Sequence, residues 1–213
     1  MINTLLEKIQ TKYTLQEIDT ADMSALKANG MKFSIQAYKA EGLGHVSVMR
    51  AKGFFGLMKM DTLIVNPDET DLPLYSYDRI YAAGNDTLIV ELYDTLDGVY
   101  AQDKLEAVKV EFADLEERDP GTHWYDDIKL APSISKKGKK AQSSRFDALA
   151  LKHLEVYLDS GSTAADKAKK QEKAAYYVNG LLRNGGPSTD VFKKALGVEK
   201  TARLFHEILF GVR

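Results

Sequence analysis

The segment from Leu74 to Tyr81, in the middle of the chain, places the strongest constraint on the fold. Five of its eight residues are aromatic or branched, which is typical of a β-strand. Strand alternation gives it two faces, one with Leu74, Ser76, Asp78 and Ile80 and the other with Tyr75, Tyr77, Arg79 and Tyr81. Neither face is typical of a solvated surface, so we expect this strand inside a sheet that is covered on both sides.

Short connections join the predicted strand to its neighbours along the chain. Period-two patterns and turn residues predict strands over residues 32–37, 45–52, 57–65, 74–82 and 88–93. Connections of this length cannot make parallel crossovers, so the strands are predicted to form an antiparallel meander.

Helical patterns flank the predicted strands. One helix is expected after the capping-box pattern Thr4-Leu5-Leu6-Glu7, and others over 21–28, 102–117, 146–158, 163–183, 188–196 and near 204–209. The region between 121 and 142 is irregular, with one possible strand near 128–134. The predicted fold is α+β: a single antiparallel sheet sandwiched between helices on both faces, in three layers. We expect one domain over residues 1–213, with the sheet mainly in 31–94 and helical layers from 1–29 and 101–210.

Composition excludes several classes of function. The chain has 213 residues, a net charge of −2 and no cysteine, which removes disulfides, thiolate metal sites and a cysteine nucleophile. The charge does not indicate binding to nucleic acid, and no apolar run reaches the length of a membrane span. No phosphate-binding loop, dinucleotide-binding motif, HExxH or GxSxG is present. A cytoplasmic location is expected.

The carboxylates of the central strands are the leading candidates for chemistry. If Gly84-Asn85 forms a two-residue hairpin loop, Asp78 lies directly opposite Glu91, and two close carboxyl groups in a covered sheet raise one pKa. Such a pair is a credible proton donor. A three-residue loop instead places Arg79 opposite Glu91 in a salt bridge. Both registers remain open at this point.

Histidines and lysines give weaker indications. The four histidines are scattered, which does not favour a metal site, and only His123, beside Trp124, is retained as a ligand contact. A lysine run over 136–140 is expected in a solvated loop, and a second basic set on the outer face of the long helix comprises Lys167, Lys169, Lys170 and Lys173. These sets are either solvated or able to meet an acidic partner or carboxylate groups.

Three stretches together resemble the ferredoxin-dependent bilin reductases. The first is Asn66-Pro67 followed by Asp71-Leu72-Pro73-Leu74-Tyr75-Ser76-Tyr77-Asp78, which is similar to the family's segment ending at its central aspartate. The second runs from Trp124 to Ser133 and then from Phe146 to Leu158, and the third from Gln171 to Phe210. In place of the family's second aspartate the chain has Asn184-Gly185-Gly186, unless Asp190 substitutes for it.

The resemblance implies a fold, an activity and partners. It implies reduction of a biliverdin-like linear tetrapyrrole held between the sheet and the C-terminal helices, without metal or bound cofactor, by electrons from ferredoxin or flavodoxin. Asp78, with Glu91, would be catalytic, and Thr62 or its neighbour Asp61 stands at the place of a histidine that some family members have. The predicted substrate-binding residues are Thr62, Ser76, Lys136, Lys137 and Asn184. The pocket mouth is expected near Lys136 and Asn184, and Lys136 or Lys137 lies near the place where the family's basic groups hold a propionate. The alternatives are a non-catalytic tetrapyrrole carrier and a protein-association domain on the same fold.

Overall fold

The computed structural model describes residues 1–163 and 166–212, and its centre is an antiparallel sheet. Within the described chain the sheet has eight strands in the order β1-β3-β4-β5-β7-β8-β9, and β2 also pairs with β3. The long strands are β3 (Met31–Ala40), β4 (Gly44–Gly53), β5 (Met58–Pro67), β7 (Leu74–Ala82) and β8 (Asn85–Tyr93). The short ones are β1 (Leu15–Ile18), β2 (Ala25–Ala28) and β9 (Ile134–Lys139). A separate pair joins β6 (Thr70–Asp71) to β10 (Ser162–Thr163).

Helices cover the two faces of the sheet, as the sequence predicts for an α+β sandwich. One core contains side chains from α1 (Ile2–Gln10), α2 (Asp103–Glu111) and α3 (Ser143–Asp159). The other contains side chains from α4 (Lys167–Asn184), from α5 (Pro187–Leu196) and from the π-helical turn over Leu204–Phe210, which continues α6 (Val198–Arg203). The alternation of β7 divides its residues as predicted: Tyr75 and Tyr77 enter the first core, and Leu74 enters the second.

The π-helical turn of the C-terminal segment is fastened to the sheet by side chains. His45 Nε2 lies 2.8 Å from the Ile208 carbonyl oxygen, Ser47 Oγ donates to Leu209 O at 2.7 Å, and Asn66 Nδ2 donates to Phe210 O at 2.7 Å. Burial, as the largest cause, lowers the pKa of His45, so the ring is neutral. Three strand residues therefore satisfy carbonyl groups that a helix end leaves unpaired.

Several predicted elements are wrong. The expected helix over 21–28 is a short 3₁₀ turn, Ala21–Met23, followed by strand β2, which pairs with β3. Helix α1 begins at Ile2, so Thr4 does not cap it. The helix predicted over 102–117 is α2, which ends at Glu111. Sheet pairing prevails over the local pattern at β2, because four ladder positions are available beside β3.

The lysine run lies in a strand instead of a loop, whereas the basic set of the long helix keeps its predicted outer face except at Lys170. Lys136 and Lys137 lie on strand β9, paired with β8, and not in a solvated loop. The long helix begins at Lys167 with Asp166 as its cap, and Ala164, predicted to belong to it, lies outside the described residues. Lys170 of this helix is buried and its Nζ lies 3.2 Å from Asp71 Oδ1. None of the described helices has both the length and the apolar character needed to cross a membrane.

Candidate functional site

Asp78 lies near the middle of β7, on the face that the C-terminal helices cover. Thr62 of β5 and Ile89 of β8 are its cross-strand partners. Thr62 Oγ1 donates to Asp78 Oδ1 at 2.5 Å. Burial is the largest influence on this carboxyl group and raises its pKa to about 6; the nearby Glu91 charge adds to the rise, and the Thr62 hydrogen bond opposes it. Asp78 is therefore a carboxyl group that exchanges its proton close to neutral pH.

The register between β7 and β8 differs from both predicted registers. Ala83 and Gly84, and not Gly84-Asn85, form the hairpin loop, both with positive φ (49° and 79°). Such a pair of left-handed residues suits a two-residue hairpin. Glu91 consequently lies opposite Ser76, diagonally across from Asp78 on the same face, and direct pairing of Asp78 with Glu91 is wrong.

The alternative of a salt bridge between Arg79 and Glu91 is also wrong. Arg79 lies opposite Leu88 and points to the other face of the sheet. There its Nη2 donates to the buried Asp86 Oδ2 at 2.6 Å. Because Asp86 neutralises Arg79 on that face, the guanidinium is not available to the carboxylates of the Asp78 face.

Glu91 has two polar neighbours. The Tyr93 hydroxyl donates to Glu91 Oε2 at 2.6 Å, and Lys129 Nζ lies 4.0 Å from Oε1. Across the diagonal, Glu91 contributes to the raised pKa of Asp78, although burial of Asp78 is the larger cause.

Aromatic side chains face these carboxyl groups from three elements. The rings of Tyr93 on β8 and Tyr177 on α4 stack with centroids 4.0 Å apart. Tyr125 meets Tyr93 edge-on at 5.4 Å, and His123 stacks on Tyr125 at 4.8 Å with an interplanar angle of 5°. Burial, the largest cause, raises the pKa of Tyr93, Tyr125 and Tyr177, so their hydroxyls stay protonated. This aromatic layer therefore covers the site with apolar rings, three of which carry a hydroxyl group.

The space between the sheet and this layer is a cavity of about 240 Å³. Its polar lining includes Thr62, Ser76, Asp78, Glu91 and His123, and Trp124 and Phe210 belong to its apolar lining. Helix α4 approaches closely at Gly180, where a Cβ atom would overlap the Trp124 ring. The cavity lies between the Asp78 face and the C-terminal helices, where the sequence predicts a pocket.

Three of the predicted binding residues do not line the cavity. Lys136 is buried on the opposite face, where its Nζ donates to Leu115 O at 3.0 Å and to Glu117. Lys137 pairs with Glu116 at 3.1 Å near the end of the sheet. Asn184 is exposed at the end of α4, and its side chain donates to Gly180 O. The expected mouth near Lys136 is therefore wrong, because a strand carries that lysine on the opposite face, whereas Asn184 directly precedes two residues that line the cavity.

The residues around position 184 still contribute through their backbone. Gly185 and Gly186 line the cavity, and Asp190 does not; Asp190 accepts a hydrogen bond from Gly186 N at 3.3 Å at the start of α5. Asp190 is thus engaged by the turn and does not substitute for an aspartate inside the cavity. Among residues 1–163 and 166–212, no three His, Asp or Glu side chains are grouped so as to hold a metal ion.

Sequence reasoning missed the aromatic layer as a part of the site. Tyr93, Tyr125 and Tyr177 come from a strand, an irregular segment and a helix that are far apart in the chain. The available signal was the presence of Trp124 and Tyr177 within the stretches that resemble the reductase family. No spacing rule connects residues from three such elements, so only the fold brings them together.

Comparison with known proteins identifies the fold. No protein-family model and no curated protein sequence matches the chain. Among solved structures, the fold is similar to that of the crystal structure of selenomethionine-labelled phytochromobilin synthase from tomato in complex with biliverdin. The TM-score is 0.78 at 16% sequence identity, and the match covers 99% of this chain and 81% of that chain. The α+β architecture is therefore that of a protein whose crystal structure contains a bilin.

Proposed function

We propose that this protein reduces a biliverdin-like linear tetrapyrrole, with electrons from ferredoxin or flavodoxin and with Asp78 as a proton donor. The observation that carries the proposal is a carboxyl group of raised pKa inside an aromatic-walled cavity. The fold likeness to a biliverdin-bound phytochromobilin synthase, a ferredoxin-dependent bilin reductase, supports the choice of substrate class.

The hydrogen bond from Thr62 makes the two oxygens of Asp78 unequal. Because Thr62 Oγ1 donates to Oδ1, the neutral acid in this proposal carries its proton on Oδ2 and donates it from there. Reduction of one double bond takes two electrons, which the protein donor delivers singly, and two protons. Asp78 gives one proton to the tetrapyrrole after the first electron, recovers a proton from solvent, and gives that second proton after the second electron. Glu91 supports this role because its charge increases the proton affinity of Asp78.

The cavity must widen to admit such a substrate. Its volume of about 240 Å³ lies below the roughly 300–1,000 Å³ of sites that enclose drug-sized ligands. The segment with His123, Trp124 and Tyr125 lies outside the helices and strands and forms one wall. We expect this wall to move outward when the tetrapyrrole binds.

Titration with biliverdin tests ligand binding. Aerobic addition should shift the bilin absorbance bands and quench the emission of Trp124, the one tryptophan of the chain. Ser76→Leu, inside the cavity, should weaken binding at least tenfold, and Thr87→Leu, on the same sheet face but outside the cavity, should not. Unchanged spectra would remove the tetrapyrrole from consideration.

Reduction is tested separately under anaerobic conditions. Reduced ferredoxin or flavodoxin should convert the bound bilin to a product with altered absorbance. Binding without any conversion by either donor would support the carrier function in place of the reductase.

A further inference from the structure

Four lysines occupy directly opposing positions on four neighbouring strands. Lys27 of β2 pairs with Lys32 of β3, Lys32 with Lys52 of β4, and Lys52 with Lys59 of β5. We call this row the lysine ladder. All four side chains are exposed and share one face, and neighbouring strands lie about 5 Å apart, so the ladder extends for roughly 15 Å. Like charges in directly opposite positions destabilise a sheet.

The lysine ladder is not neutralised, in contrast to the other basic clusters. Lys136 and Lys137 pair with Glu117 and Glu116, and the lysines of α4 pair with carboxylates of the 68–97 region. Within the described parts of the chain, no ion pair or side-chain hydrogen bond involves the four ladder lysines. A protein of net charge −2 thus keeps a stripe of repelling positive charge on its surface.

Exposed apolar side chains adjoin the ladder at the tip of the β4–β5 hairpin. Phe54, Phe55 and Leu57 are all exposed, and both phenylalanines have left-handed backbone conformations with φ of 51° and 55°. Such conformations are unfavourable for residues with bulky side chains. An aromatic tip that is presented to solvent beside a basic stripe has the composition of a protein interface, with an aromatic centre and a charged rim.

The helical layer leaves this end of the sheet uncovered. A groove of about 650 Å³ lies between the start of α1, the start of α3 and the sheet, and Lys52, Leu57 and Lys59 line it. A partner can therefore reach the ladder without displacing any helix. The uncovered region is on the opposite face of the sheet from Asp78; along β5, Lys59 is three residues, or roughly 10 Å, from Thr62 of the cavity.

We propose that the lysine ladder and the hairpin tip form the docking surface for an acidic protein, which, on the proposed function, is the one-electron donor of the cavity. A row of carboxylates on the partner would meet the ladder, and the two phenylalanines and Leu57 would pack at the centre. Charge pairing of this kind mainly accelerates association and fixes orientation, and the apolar tip adds affinity.

The shape of the charge favours a folded acidic protein over a lipid bilayer. The next ladder position holds Arg50 opposite Asp61, and Asp147 lines the same groove, so the positive charge forms a narrow stripe. A planar anionic membrane attracts a broad basic face instead. A stripe fits a ridge of carboxylates, whose registry also orients the bound partner.

Binding of the full chain to a plant-type ferredoxin and to flavodoxin, measured by calorimetry at 50 and 300 mM NaCl, tests the proposal. Binding should weaken at the higher salt concentration. The double variant Lys32→Glu/Lys52→Glu should bind at least tenfold more weakly and lose most of the salt dependence. Phe55→Ser should also bind more weakly, and it should bind biliverdin as the parent does because it lies outside the cavity.

The matched control is Lys104→Glu/Lys152→Glu, which makes the same charge change at exposed positions on α2 and α3. Retained binding by this control supports the proposal. Equal losses in both double variants, or no loss in the ladder variant, would overturn it, as would ladder-dependent capture by anionic vesicles or DNA when neither protein donor binds. Donor binding through the ladder without bilin reduction would refute the proposed function and leave the docking surface standing.

Discussion

The proton affinity of one carboxyl group, Asp78, determines what the cavity can do. Its pKa is raised to about 6 in total, with burial as the largest cause, the Thr62 hydrogen bond opposing the rise and the Glu91 charge adding to it. General acids work best when their pKa lies close to the operating pH. A pKa of about 6 brings Asp78 close to this condition.

Replacing Asp78 with asparagine should separate binding from proton transfer. Asp78→Asn keeps the shape of the side chain but removes the acid, so we expect bilin binding within about threefold of the parent and a reduction rate lower by on the order of 10²-fold. A one-electron-reduced bilin should accumulate during anaerobic turnover. Turnover at the parental rate would exclude Asp78 as the donor.

The pH dependence follows from the direction of the same pKa shift. The neutral acid is the donor, so the parental rate should fall about tenfold per pH unit above pH 6. The raised pKa also means that Asp78 stabilises the fold below its unfolded pKa, near 3.8, and that this contribution is lost as pH rises through 6. At pH 7 Asp78→Asn should thus be at least as stable as the parent in urea denaturation. Marked destabilisation would instead indicate an ionised structural Asp78.

Single residues show where sequence reasoning succeeded and where it failed. Alternation along β7 assigned Asp78 and Tyr77 to the correct faces, because the side-chain period of a strand is fixed at two. The opposing residue depended on the hairpin loop, and both Ala83-Gly84 and Gly84-Asn85 contain a glycine suited to a tight turn. The observed register differs from the predicted pairing of Asp78 with Glu91 by two positions. Glu91 therefore lies on the predicted face, but opposite Ser76 instead of Asp78.

At the level of elements, the close approach of α4 to the irregular segment controls the wall of the cavity. Gly180→Ala should raise helix propensity by about 1 kcal/mol, yet its methyl group would overlap Trp124. We expect Trp124 emission to shift to longer wavelength and biliverdin affinity to fall at least tenfold. A variant with parental emission and a higher unfolding free energy would mean that Trp124 moves aside without cost.

Within the strands, the lysine ladder should carry a measurable electrostatic cost. Lys52→Gln removes the charge that lies between two others, so the free energy of unfolding should rise by about 0.2–1 kcal/mol at low salt and by less at 0.5 M NaCl. Lys104→Gln on α2 provides the comparison. An equal gain in both variants would attribute the effect to net charge and not to the ladder.

Elements with a long sequence pattern were predicted correctly. The predictions were wrong where strand pairing decided the conformation. The five central strands and the helices α3, α4 and α5 followed from periodicity and from glycine or proline stops. Strand β2 has a helical pattern and becomes a strand because the edge of β3 is open to it. Strand β9 is rich in lysine, so its composition indicated a loop, but its residues pair with β8 in the antiparallel sheet.

For the whole molecule, we expect the two cores to unfold together as one domain. They lie on opposite faces of one sheet, so loss of either layer would expose an apolar face of the strands. Urea unfolding followed by Trp124 fluorescence and by far-ultraviolet circular dichroism should give coincident transitions. Two separated midpoints would contradict a single domain over residues 1–213.

The bonds between the sheet and the C-terminal π-helical turn have a kinetic consequence. They join residues 144 and 163 positions apart, among the most distant pairs in the chain. Contacts of such long sequence separation form late because loop closure must precede them. Leu209 and Phe210, which line the cavity, are positioned by these bonds, so the binding site comes into existence only near the end of folding. A ligand that needs the finished cavity therefore has no affinity for earlier species and draws the equilibrium toward the native state alone.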